Sequence, residues 1–191
     1  MILASASPRR RELLARAGWP FLVRPASVDE TPWPRESARG YVLRLAKAKA
    51  RCILPEHPGR GTVVLGADTT VAIGQSILAK PGSDAEAAAM LRRLSGRCHQ
   101  VLTGVCLREA ATGREASAVA RTDVWFGQLS ARQIAAYVAG GEPRDKAGAY
   151  AIQGGAAGFV RRLQGSYSNV VGLPIELVWT LWLELAAPAV G

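Results

Sequence analysis

Lysine is scarce in this chain: only Lys47, Lys49, Lys80 and Lys146 occur among 24 basic residues, so nearly every cation is written as arginine. Histidine is scarcer still, with His57 and His99 alone. Cysteine is limited to Cys52, Cys98 and Cys106, an odd number without metal-ligand spacing, which argues against a disulfide framework and against a structural zinc site. No apolar run is long enough for a membrane. The longest, around Leu173 to Leu183, has about half of the ~20 residues a span needs. At the N-terminus the charges follow the apolar residues, the reverse of a signal peptide, so the reading is a cytoplasmic protein that does not engage membranes. Walker A, dinucleotide-binding glycine-rich and nucleophile-elbow patterns are all missing. His57, inside a Pro-Glu-His-Pro-Gly turn, reads as solvated rather than catalytic.

The balance of the composition is that of an ordinary folded chain, with 191 residues, 49% of them hydrophobic and 20% charged. That length favours one domain over residues 1–191. The net charge of +9 suits an anionic partner. It is spread along the chain, with no basic block longer than Arg9-Arg10-Arg11, which disfavours nucleic acid as the main partner. A lysine retained under so strong an arginine bias marks a place where a compact ammonium and a planar guanidinium differ in use.

Ser7-Pro8 reads as a helix start and Gly18 as its stop, with a short buried strand, residues 1–5, before it and a strand over 21–24 after it. A helix over 36–54 places Tyr41, Leu45, Lys49 and Cys52 on one face, so Lys49 interrupts an apolar stripe; Arg44, Lys47 and Arg51 share the outer face. Residues 55–61 form a turn-rich linker, and Thr62 to Ala67 an apolar strand with Asp68 just past its end. A hairpin follows around Gly74-Gln75, with strands near 99–108 and 117–127 and two short strands about Gly165-Ser166. Ser83 with Glu86 and Ser130 with Gln133 predict two capping boxes, and an amphipathic helix is expected from about 174 to 186. Strands, helices and hairpins so interleaved predict α/β or α+β architecture on a mixed sheet.

Four segments can carry chemistry. In Ala4-Ser-Ala-Ser-Pro-Arg-Arg-Arg11 a strand gives way to a helix start, whose free N–H groups suit phosphate; Ser5 and Ser7 add hydroxyls and an arginine can add a bidentate grip. Asp68 at a strand's end can hold a cation or take a proton from water, or be a turn residue. Lys80, after a strand and before Pro81, reads in isolation as a surface turn. The polar, glycine-rich stretch from Gly141 to Gly155 has the character of a binding loop.

Taken in order, these segments resemble the Maf family of nucleoside triphosphate pyrophosphatases. The resemblance is carried by Leu3-Ala-Ser-Ala-Ser-Pro-Arg-Arg-Arg-Glu-Leu-Leu14, Val28-Asp-Glu30, Leu45-Ala-Lys-Ala-Lys49-Ala, Gly66-Ala-Asp-Thr-Thr-Val71, Lys80-Pro81, Met90-Leu-Arg-Arg-Leu-Ser-Gly96, Gly141-Glu-Pro-Arg-Asp-Lys-Ala-Gly-Ala-Tyr150, Ile152-Gln-Gly154 and Val171-Gly-Leu-Pro174. It implies an ITPase-like α/β fold, a mixed, elongated sheet flanked by helices, with two lobes and a central nucleotide cleft. It implies hydrolysis of a nucleoside triphosphate to the monophosphate and pyrophosphate with Mg²⁺ or Mn²⁺, serving nucleotide-pool cleaning. By similarity Asp68 is the proton acceptor, Glu30 and Asp68 hold the metal, and Ser5, Arg10, Lys49 and Lys80 bind the substrate phosphates. Arg9, Thr69 and Gln153 fall on positions tied to substrate choice, and their identities resemble the dTTP/UTP branch rather than the 7-methyl-GTP branch. A homodimer is compatible with the resemblance. The rival reading is a non-enzymatic nucleotide- or nucleic-acid-binding regulator of septum formation. It leaves the acidic residues Glu30 and Asp68 without a use.

Overall fold

In a computed structural model, residues 1–53 and 61–187 are described. The turn-rich linker and His57 thus fall almost wholly outside the described residues. Seven strands form one mixed sheet: β1 (Ile2–Leu3), β2 (Leu22–Val23), β3 (Val63–Ile73), β4 (Ser76–Leu78), β5 (Cys98–Glu109), β6 (Glu115–Phe126) and β7 (Val160–Gln164). The order is β2-β1-β3-β5-β6-β7. β1 runs parallel to both neighbours, while β3, β5, β6 and β7 are antiparallel. This is the expected mixed sheet. Among the described residues six α-helices accompany it: α1 (Pro8–Arg16), α2 (Ala38–Cys52), α3 (Asp84–Leu94), α4 (Ala131–Ala139), α5 (Tyr167–Val171) and α6 (Ile175–Ala186).

Two glycines set how closely α2 lies on the sheet. A Cβ on Gly66 of β3 would stand 2.1 Å from the Ala46 carbonyl oxygen, and one on Gly104 of β5 would stand 2.2 Å from that of Val42. Only a residue without a side chain lets helix backbone sit on strand backbone at this distance. α2 covers this face with Val42, Leu45, Ala46 and Ala50, all fully buried.

The opposite face is divided. Side chains alternate along a strand, so Leu65, Ala67, Thr69 and Val71 share that face of β3. Leu65 and Ala67 pack with Leu14 of α1 and with Val178 and Leu181 of α6. Val71 packs instead with Leu91 of α3, Ile134 of α4 and the aromatic residues Phe126, Tyr150 and Phe159. On β5 the same split falls between Val105 and Val101. Between these two cores stand two threonines, Thr69 and Thr103, their hydroxyls 2.9 Å apart. The two expected lobes are these two cores, and the polar line between them is where a cleft opens.

Several local expectations needed correction. β3 does not stop at Ala67 but continues through Asp68 to Ile73, because β5 pairs with it throughout and Asp68 lies opposite Gly104. A strand-end carboxylate is therefore a mid-strand one. Gly165-Ser166 separates β7 from a helix rather than from another strand: Ser166 Oγ accepts from Asn169 N and caps α5. In the box predicted at Ser83, Glu86 turns to Gly82 N instead of the capping residue, whereas the Ser130–Gln133 box is complete. Cys52, expected on the inner stripe of α2, is exposed. On α6, Trp182 packs against the core while Trp179 is 54% exposed.

Candidate active site

β3 has one continuous partner, β5, and two interrupted ones. β1 pairs with Val64 and Leu65; β4 pairs only from Val71 onward. Between them, among the described residues, the backbone edge of β3 has no strand beside it. A cleft of about 880 Å³ occupies that gap, a size suited to a small-molecule ligand. Ser5, Arg9, Arg10, Glu30, Lys49, Asp68, Thr69, Lys80 and Gln153, every residue singled out in the sequence, line it.

The gap explains Arg10. Its guanidinium donates to the Ala67 carbonyl oxygen at 2.8 Å, which is one of the β3 edge groups left without a strand, and to the Gly172 carbonyl oxygen at 2.9 Å. It further donates to Ser5 Oγ at 3.2 Å and Thr69 Oγ1 at 3.0 Å. Four of its five N–H groups are thereby engaged by the chain. An arginine in a helix's first turn opposes the helix dipole, and for Arg10 burial in a site rich in oxygen acceptors offsets that cost. Ser5 Oγ accepts from both Ser7 N and Arg10, which leaves its own proton for another acceptor. Ser7 caps α1, accepting from Arg10 N, so the helix start is built as the sequence indicates.

Asp68 belongs to the other face of β3, the one under α2. There Lys49 Nζ lies 2.6 Å from Asp68 Oδ1 and 2.6 Å from Glu30 Oε1. Lys49 is buried rather than snorkelling. Tyr41, two turns earlier on α2, donates its hydroxyl to the Glu30 carbonyl oxygen at 2.9 Å and so holds that loop against the helix. The two carboxylates are driven apart electrostatically. Burial raises the Asp68 carboxyl above the usual Asp range, against the opposing pull of Lys49 and Arg10. For Glu30, which is half exposed, burial also acts upward. The hydrogen bond and charge of Lys49, with help from Lys80 and Arg10, outweigh it and hold Glu30 below its ordinary value. One carboxyl with a raised proton affinity beside another held ionised is an acid–base arrangement.

Thr69 faces the α1 side. It receives the Arg10 hydrogen bond and lies 3.2 Å from the Gly172 carbonyl oxygen, so much of its polar capacity is used by the chain. Arg9 is half-buried; Lys80 and Gln153 are exposed at the rim. Lys146 is tied to Asp145 and to the Glu142 carbonyl oxygen. Three participants were not singled out in the sequence. Asn169 is fully buried and donates to the Val101 carbonyl oxygen and to Thr122, placing the turn that carries Gly172. Tyr137 and Glu142 hold the Gln153 loop. Glu142 stood inside a segment read as a binding loop, but nothing in its spacing marked it; Tyr137 lies on an unremarkable amphipathic helix.

As for a metal, no group of three or more His, Cys, Asp or Glu side chains able to hold one occurs among the described residues. Glu30 and Asp68 offer two carboxylates over one cation. That donor set fits a hard divalent ion that takes its remaining ligands from water and from substrate phosphate.

A mixed sheet with helices on both faces and an oxygen- and cation-lined cleft at the broken edge of its central strand defines an α/β protein built to receive a phosphorylated ligand. Residues 1–185 match the family described as Maf-like protein, and the chain belongs to that family. It is similar to the dTTP/UTP pyrophosphatase of Myxococcus xanthus (strain DK1622), with 53% identity over 175 residues, 92% of this chain and 87% of that protein. It is 52% identical to the dTTP/UTP pyrophosphatase of Anaeromyxobacter dehalogenans (strain 2CP-C) over 177 residues, 92% of this chain and 88% of that one. The dTTP/UTP pyrophosphatase of Moorella thermoacetica (strain ATCC 39073 / JCM 9320) shares 51% over 178 residues, covering 93% and 91% respectively.

Proposed function

We propose that this chain hydrolyses nucleoside triphosphates, dTTP and UTP foremost, to the monophosphate and pyrophosphate, and that residues 1–191 act as one unit. The observation that carries the reading is Asp68, a buried carboxylate of raised proton affinity beside Lys49 and Glu30 in the cleft. The names of the relatives at about half identity support the substrate.

In this mechanism the triphosphate lies over the start of α1, where free N–H groups and the Ser5 hydroxyl donate to phosphate oxygens. Lys49 and Lys80 balance its charge, and Arg10 contributes through its field and its one remaining N–H. Asp68 accepts a proton from water as the water oxygen bonds to the α-phosphorus. The bond from that phosphorus to the bridging oxygen breaks, and pyrophosphate departs with the electron pair, its charge met by the lysines. Glu30 and Asp68 would hold Mg²⁺ or Mn²⁺, which supplies polarisation of the phosphoryl oxygens when bound. Gln153, carrying both a donor and an acceptor, reads the edge of the uracil or thymine ring, with Arg9 and Thr69 shaping the rest of the subsite. The reading has no role for nucleic acid, is compatible with a homodimer and places the protein in the cytoplasm. Among the described residues Cys52, Cys98 and Cys106 are unbridged, and no helix is long and apolar enough to cross a membrane.

A panel of triphosphates assayed by pyrophosphate release, with and without Mg²⁺ or Mn²⁺, tests this. UTP and dTTP are expected to turn over fastest, and only with metal. Fastest turnover of 7-methyl-GTP would overturn the base preference, and release of no pyrophosphate from any triphosphate would overturn the activity.

A further inference from the structure

Gln153 sits on a loop whose two ends are tied to one pair of side chains. Tyr137, in the last turn of α4, accepts a hydrogen bond from Ala151 N at 3.0 Å and donates its own proton to Glu142 Oε1 at 3.0 Å. The other carboxylate oxygen, Oε2, accepts from Gly155 N at 3.0 Å. The chain thus enters and leaves the stretch from Ala151 to Gly155 on the same two-residue bracket. The loop lies directly on it: a Cβ at Gly154 would stand 2.0 Å from Glu142 Oε1, and one at Gly155 would stand 3.3 Å from the Tyr137 ring. The bracket is itself held. The Tyr137 ring packs edge-on against Phe159 with centroids 5.1 Å apart, and Lys146 Nζ donates to the Glu142 carbonyl oxygen at 2.9 Å. Burial, reinforced by Glu142, raises the Tyr137 hydroxyl well above its usual range, so it stays a donor at neutral pH.

We propose that Tyr137 and Glu142 are positioning residues for base selection, fixing the backbone from Ala151 to Gly155 so that the Gln153 amide meets the base edge at one distance and angle. The proposal rests on the reading that Gln153 discriminates the base. A glutamine amide offers a donor and an acceptor and can turn to suit uracil or cytosine. Hydrogen bonds weaken steeply with distance and angle, so selection requires a frame that does not yield to the wrong ring. An exposed glutamine on a loop of glycines cannot supply that frame; the Tyr137–Glu142 bracket does.

The test compares kcat and KM for UTP and CTP in Tyr137→Phe, Glu142→Ala, Glu142→Gln and Gln153→Ala, with thermal melts as a check on folding. Tyr137→Phe removes only the hydroxyl and keeps the ring packing. It and Glu142→Ala are expected to raise KM for UTP by about tenfold, the loss of one or two hydrogen bonds. They should change kcat much less and move the UTP:CTP ratio of kcat/KM toward that of Gln153→Ala. Glu142→Gln keeps an acceptor for Gly155 N and should retain most of the selectivity. A merely structural role would lower activity on both triphosphates alike. If Gln153→Ala shifts the ratio while Tyr137→Phe and Glu142→Ala leave it at the wild-type value, the bracket has no part in selection and the proposal fails alone. If Gln153→Ala leaves the ratio unchanged as well, the base-reading role of Gln153 fails and the proposal falls with it.

Discussion

The two walls of the cleft are built on different principles. On the α2 side, three ionisable groups meet: Lys49 between Asp68 and Glu30, on a helix pressed against two glycines of the sheet. On the side of the Gln153 loop the contacts run through aromatic rings, hydroxyls and backbone amides: Tyr137 with Ala151, Glu142 with Gly155, and Tyr150 with His99 at 2.9 Å. The first wall stores charge in a place where it can be altered by a substrate, which is what bond cleavage needs. The second keeps a shape, which is what selection needs. In the first wall Lys49 and Asp68 stand on α2 and β3, with the Glu30 loop tied to α2 through Tyr41; the second is a loop gripped by the side chains of Tyr137 and Glu142, as suits a recognition loop open to solvent and ligand.

The largest way to break this comparison is Asp68→Asn. It keeps the side chain's shape and removes the base, so kcat/KM for UTP should fall by roughly 10²–10⁴-fold, the usual worth of a positioned base, with the UTP:CTP preference little changed. Loss of preference along with rate would mean that the walls are not separable. In the metal-free wild-type chain burial raises the affinity of the same carboxyl for protons, so it takes up its proton on acidification at a higher pH than the ~3.9 of an ordinary Asp. An NMR titration of the metal-free chain measures this, and a midpoint at or below that value would contradict the role of burial.

Next in size is Gly66→Ala. The new methyl would meet the Ala46 carbonyl oxygen at 2.1 Å, and helix backbone cannot yield locally. A loss of about 3 kcal/mol or more in urea unfolding is expected, at or beyond the usual range for overpacking. Whatever folded protein remains should be impaired in kcat, since α2 carries Lys49. An unchanged unfolding midpoint would show that α2 can move off the sheet.

The smallest effect sharpens the second wall. His99 is buried against Tyr150 and Phe126, and burial lowers its pKa to about 4. It is neutral in the folded chain, while the unfolded chain takes up a proton near ~6.5. The folded value is the depressed one, so its stability is whole above about pH 6.5 and declines as pH falls towards 4. By pH 5 the loss amounts to about 2 kcal/mol at 1.36 kcal/mol per pKa unit. In His99→Gln that part of the pH dependence of unfolding should vanish; its persistence would assign the acid sensitivity elsewhere.

Much of this was readable from the residues alone. The mixed sheet followed from alternating strands, helices and hairpins, and the start of α1 from Ser7-Pro8. The family resemblance, now joined by a match over residues 1–185, named the nine cleft residues. What local pattern could not reveal was distance in space. An apolar run followed by Asp and two threonines reads as a strand reaching its end; only pairing with β5 carries β3 on through Asp68. Lys49 within an apolar stripe could have been a rim residue until Asp68 and Glu30 were seen at 2.6 Å on either side of it.

The sequence by itself determined most of the elements, the capping serines of α1, α3 and α4, the arginine bias and the family, because these depend on neighbours within a turn or two or on residue identities in order. The tertiary structure decided that β1 ends before β4 begins, that the open edge of β3 between them faces a cleft, and that Arg10 fills the lost strand's hydrogen bond at Ala67. It also decided that Tyr137 and Glu142 grip the Gln153 loop. The Arg10–Ala67 bond joins residues 57 positions apart, and the bonds of Tyr137 and Glu142 cross from a helix to a loop, so no periodicity along the chain records them.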